Sequence, residues 1–117
     1  MGLTFGEMLK QLRRAAGLSQ RELARQAGVD FSYISKVENS RTPAPAADTV
    51  VELCRALKTA PETLLALSGK IPDKIQQNVS TSAAAQEFLQ QAEILKLSDQ
   101  EWKKLTGSIQ RLRGKPR

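Results

Sequence analysis

Residues 18–45, LSQRELARQAGVDFSYISKVENSRTPAP, describe two short helices joined at a glycine. Ser19 and Glu22 stand three apart as a capping box, and Leu18 and Leu23 flank them as a hydrophobic staple, so a helix starts here and runs to Ala27. Gly28 then supplies the left-handed residue that a sharp turn requires. Asp30 is placed to cap the next helix, which carries Ile34 and Val37 on one side until Asn39 and Ser40 break it. Ala24 is small where the two helices cross. At about 100° per residue, Ser32, Ser35, Lys36 and Asn39 fall opposite Ile34 and Val37, and Phe31 opens the helix at its exposed end.

The same grammar extends in both directions. Upstream, Thr4 and Glu7 form a capping box, Leu3 and Met8 a staple, and Phe5, Met8, Leu9 and Leu12 one apolar face that ends before Gly17. Downstream, Pro43 and Pro45 stiffen a connection to a fourth helix marked by Val50, Leu53, Cys54 and Leu57. Pro61 opens a fifth, with Leu64, Leu65 and Leu67, which stops at Ser68 and Gly69. Residues 1–70 thus form one five-helix domain. Residues 71–82, IPDKIQQNVSTS, have weak periodicity and a polar end, and are assigned to a linker. Residues 83–113 are expected to form a helical hairpin: Phe88, Leu89, Ala92 and Leu95 mark its first helix. Ser98 and Glu101 cap the second, where Trp102, Leu105, Ile109 and Leu112 advance by 3, 4 and 3 as in a coiled coil. Residues 114–117 make a basic tail.

Composition narrows the functions available. The 117 residues suffice for one compact domain and an appendage. A formal charge of +6 suits a polyanionic partner, because neutralised phosphates release condensed counterions. With no histidine and a single cysteine, one chain can build neither a zinc site nor a histidine-based triad, so no metal, no cofactor and no enzymatic activity are expected. Cys54 lies among apolar positions and is expected to pack as a small hydrophobe. No run approaches the ~20 apolar residues that span a bilayer, and the expected location is the cytoplasm.

The 18–45 stretch resembles the helix-turn-helix of the phage-repressor, Cro-like (XRE) family, and the resemblance covers residues 3–69. It is carried by Gln20, Ala24, Gly28, Ile34 and the Glu38-Asn39 pair, and by TVVELCRALKTAPETLLAL with Leu53, Ala56 and Leu57 in matching places. One departure is Ala46, where a capping serine often follows the proline. The resemblance implies an all-α protein: a five-helix lambda-repressor-like DNA-binding domain, here followed by the C-terminal helical hairpin. It implies a transcriptional regulator, a repressor or autorepressor, that binds a palindromic operator in double-stranded DNA as a homodimer.

Residue chemistry gives each position on the exposed stripe an expected role. Lys36 can donate to guanine, Ser32 and Ser35 can pair with several base edges, and Phe31 can meet a thymine methyl. By resemblance Gln20 binds a backbone phosphate, with Asn39 and Arg41 as further phosphate contacts and Arg21 and Tyr33 as lesser ones. Arg13 and Glu38 match an ion pair between the first and third helices of related repressors. Partly buried, such a pair costs about 3–5 kcal/mol to break; as two exposed charges it is worth under ~1 kcal/mol.

A single recognition helix reads too few base pairs for selectivity, hence the expected dimer. A lone hairpin buries little, so it must pack either on the first five helices or on a second copy. Dimerisation through Phe88, Leu95, Trp102, Leu105, Ile109 and Leu112 is the expectation. The alternative is a protein-interaction module, for example an antitoxin, whose C-terminal helices bind a partner protein.

Overall fold

The computed structural model describes residues 2–113, so the basic tail assigned to 114–117 lies outside the described residues. Among the described residues there are eight helices and no strand: α1 (Phe5–Ala15), α2 (Gln20–Ala27), α3 (Phe31–Glu38), α4 (Ala47–Leu57), α5 (Glu62–Ser68), α6 (Asp73–Ser80), α7 (Ala83–Leu95) and α8 (Asp99–Leu112). The chain divides into two compact units, Met1–Gln76 and Gln77–Arg117.

In the first unit, α1 packs against α3 and α5, α2 against α3 and α4, and α4 against α5. Leu9, Leu23, Ile34, Val50, Leu53 and Leu64 are fully enclosed at the centre, with Phe5, Ala24, Val37, Cys54 and Leu57 around them. Each large aliphatic side chain removed from water contributes about 1.5–3 kcal/mol, so this cluster is what holds the five helices together. Two backbone devices set the spacing. Gly28 takes φ +73°, turning the chain between α2 and α3. Gly6 faces the last turn of α3 so closely that a Cβ there would stand 2.3 Å from the Val37 carbonyl oxygen.

Three capping boxes form as the sequence indicates, at Thr4/Glu7, Ser19/Glu22 and Ser98/Glu101. In each, the backbone N–H of the capping residue donates to the glutamate and holds its carboxyl below the ordinary carboxylate range. Ala46 precedes α4 without a side-chain cap. Cys54 is buried, and loss of hydration, followed by the charge of Glu62, pushes its thiol up, which disfavours the reactive thiolate.

The segment assigned to a linker, 71–82, is helical over Asp73–Ser80. None of its residues is fully buried, so it lacks the broad apolar face by which helices announce themselves in sequence. In the second unit, Ala92 is the one buried apolar residue among those described. The rings of Phe88 and Trp102 meet at 6.5 Å, tilted by 56°. This unit has almost no interior of its own.

Candidate nucleic-acid interface

Helix α3 is anchored on one side and open on the other. Ile34, Val37 and Glu38 are buried, while Phe31, Ser32, Lys36 and Asn39 are exposed and Ser35 is half-buried. The stripe expected to face a groove is therefore uncovered. Tyr33 is half-buried against the core, and burial pushes its hydroxyl up. Arg41 is exposed just beyond the helix.

The termination of α3 fixes where Arg41 lies. Ser40 adopts φ +57°, its N–H donates to the Val37 carbonyl, and the Arg41 N–H donates to the Lys36 carbonyl at 2.8 Å. This pair of bonds closes the last turn as a Schellman motif, with serine in the left-handed place usually held by glycine. At the other end, Asp30 takes the capping position in extended backbone, but its carboxylate caps no backbone N–H. It accepts instead from the Ser32 hydroxyl at 3.2 Å.

Arg13 and Glu38 form the buried ion pair that ties α1 to α3. The arginine Nε and Nη2 donate to the two carboxylate oxygens at 2.6 and 3.1 Å, and Nη1 donates to the Leu18 carbonyl at 2.9 Å. Gln20 joins them, its Nε2 donating to Glu38 Oε1 at 3.0 Å. The sequence reading gave Gln20 to phosphate and missed this bond, which spans 18 residues and leaves no local signal. That bond takes one of the two Gln20 amide N–H groups, and the start of α2 adds backbone N–H groups, of which the Ser19 hydroxyl takes that of Glu22. Asn39 stays exposed, its Nδ2 folding back along α3 to donate to the Ser35 carbonyl at 2.9 Å.

A further contact was not foreseen. The Arg21 guanidinium, from the first turn of α2, lies 4.4 Å from the centre of the Phe31 ring at the start of α3. Two residues assigned to different tasks, phosphate and base, touch each other.

A family model described as a helix-turn-helix domain matches residues 4–67. The chain belongs to the helix-turn-helix transcriptional regulators of the Cro-like (XRE) type. Over 76 residues this regulator is 37% identical to the uncharacterised HTH-type transcriptional regulator RghRB of Bacillus subtilis (strain 168), covering 62% of this chain and 55% of RghRB. It is 36% identical over 70 residues to the HTH-type transcriptional repressor RghR of the same organism, covering 60% of this chain and 52% of RghR. The chain thus spans about half the length of the curated relatives it matches. Among solved structures it is similar to the master regulator for biofilm formation SinR in complex with DNA, at 34% identity and TM-score 0.51, covering 53% of this chain and 98% of that one.

The C-terminal residues expected to form a dimer interface are exposed. Phe88 is 48%, Leu95 69%, Trp102 41%, Ile109 66% and Leu112 79% accessible, with Leu105 half-buried. Within the second unit, Val79, Ala85, Phe88, Leu89, Leu105, Ile109 and Leu112 line an almost wholly apolar groove of about 480 Å³. Among the described residues no group of carboxylates, cysteine and histidine is placed to hold a metal, and no helix is long and apolar enough to cross a membrane.

Proposed function

We propose that this regulator is a sequence-specific transcriptional repressor that binds a two-fold operator as a homodimer, with α3 in the major groove. The observation that carries this reading is the divided character of α3. Ile34 and Val37 fix it to the core, while Ser32, Lys36 and Asn39 stand in solvent. A helix held in this way presents side chains to base edges without reorganising. The likeness to RghR, a named repressor, and to SinR bound to DNA supports the same role.

Selection from random duplexes should return a two-fold motif with half-sites about one helical turn apart. Lys36→Ala should weaken the selected site by about 1–3 kcal/mol and leave random duplex nearly unchanged. Equal losses on both would make Lys36 a backbone contact instead.

The dimer supports itself on the second unit, where Phe88, Leu95, Trp102, Ile109 and Leu112 leave large apolar side chains in water. Charge selects the occupant. Helix α8 begins with Asp99 and Glu101, carries Arg111 in its last turn and is followed by Arg113. A second copy of α8 laid antiparallel pairs each acidic end with a basic one while burying Trp102, Leu105 and Ile109, as a self-complementary two-fold interface demands. Ile109→Asp should raise the dimer dissociation constant at least tenfold in analytical ultracentrifugation, and operator affinity should fall with it. A variant that stays fully dimeric rules this interface out, and a stoichiometric foreign protein bound to this groove favours the partner-binding alternative.

A further inference from the structure

We propose that Arg21 is a base reader, not a phosphate clamp: its guanidinium, stacked on Phe31, pairs with a guanine adjacent to a thymine whose methyl lies against the same ring. The inference rests on the reading of α3 as the groove-entering helix and adds a specificity-determining residue from outside it.

Three observations carry it. Arg21 leaves the first turn of α2 yet reaches across to the first residue of α3, 4.4 Å from the ring centre, so its cationic tip sits beside the reading stripe. Arg21 forms no ion pair with a carboxylate of the described residues, and it is exposed. Phe31 is 38% accessible, a large aromatic side chain left in water at the leading end of α3.

A guanidinium held over an aromatic face keeps its N–H edge free, and that edge matches guanine O6 and N7 as a two-pronged donor. The ring restricts the arginine before DNA arrives, so less side-chain freedom is lost on docking. As water leaves the groove the cation–π attraction strengthens. The part of Phe31 not covered by Arg21 is apolar and has one good partner on a base edge, the thymine methyl. One stacked pair therefore reads two neighbouring bases together.

The test uses the full chain and four proteins: wild type, Arg21→Lys, Arg21→Ala and Phe31→Leu, each confirmed folded by circular dichroism. Selection from random duplexes with wild type should give a guanine next to a thymine in each half-site. Arg21→Lys keeps the charge but loses the fork, and should lower affinity for the selected site by about tenfold or more while random duplex changes by less than about twofold. Phe31→Leu keeps an apolar contact for the thymine methyl but removes the ring that holds Arg21, so it should weaken the guanine preference and retain that for thymine, and replacing that thymine by uracil should weaken wild type. If Arg21→Lys binds like wild type while Arg21→Ala loses affinity on all sequences equally, Arg21 is a phosphate clamp and the proposal falls. A wild-type motif without the guanine overturns it and leaves the repressor reading intact. Failure of wild type to select any motif removes both.

Discussion

Glu38→Ala is expected to destabilise the N-terminal unit by about 3–5 kcal/mol, the range for removing one member of a buried charge pair. The Glu38 side chain is 1% accessible and that of Arg13 11%, so neither charge can recover its hydration when the other is removed. Deleting the carboxylate strands three donors at once: Arg13 Nε, Arg13 Nη2 and Gln20 Nε2. Arg13 would keep only its bond to the Leu18 carbonyl. For a unit of this size each 1 kcal/mol shifts the melting temperature by about 4–8 °C, so the loss should be plain in thermal unfolding. A matched apolar replacement of both residues, Arg13→Met with Glu38→Leu, should cost far less than the two single changes added together, since no unpaired charge remains. A loss under ~1 kcal/mol for Glu38→Ala would place the pair with exposed ion pairs and contradict the enclosed geometry. The consequence reaches function, because Glu38 is the last residue of α3 and Gln20 the first of α2. The network sets the angle at which the helix-turn-helix presents its outer face.

Much of this architecture is written locally. Thr4 with Glu7, Ser19 with Glu22, and Ser98 with Glu101 each mark a helix start within four residues, and each box forms. The polar stripe on α3 follows from the helical period alone, since Ile34 and Val37 choose which side is buried. Helix α6 escaped because Ile75 and Val79 give only one turn of periodicity and both remain accessible. A start signal was nonetheless present: Pro72 before an acidic first residue, with the Gln76 N–H returning to the Pro72 carbonyl. The contacts that couple helices were less legible. Gln20 to Glu38 and Arg21 to Phe31 join residues far apart in sequence, and which of several polar partners a side chain takes is decided by the packing angle. Arg13 with Glu38 came from family resemblance, not from spacing.

Gly6→Ala carries the second large effect, and its sign opposes ordinary helix propensity. Inside an exposed helix, alanine in place of glycine stabilises by about 0.5–1 kcal/mol. At Gly6 the added Cβ would lie 2.3 Å from the Val37 carbonyl oxygen, 2.8 Å from that of Glu38 and 3.0 Å from the Glu38 carbonyl carbon. Those are backbone atoms, which cannot swing aside as a flexible side chain can, so α1 and the end of α3 must separate. Overpacking of this kind costs about 1–3 kcal/mol, occasionally more, and exceeds the propensity gain. Gly107→Ala supplies the control: it sits inside α8, and its Cβ would meet only the Arg111 side chain at 3.7 Å. Urea unfolding should therefore show Gly6→Ala less stable and Gly107→Ala equal to or more stable than wild type. Because α3 and the Schellman turn before Arg41 would move together, Gly6→Ala should also weaken operator binding at temperatures where it remains folded. A Gly6→Ala protein as stable as wild type would mean that α3 does not rest on α1 at this distance, and the seating of the recognition helix would need to be redrawn.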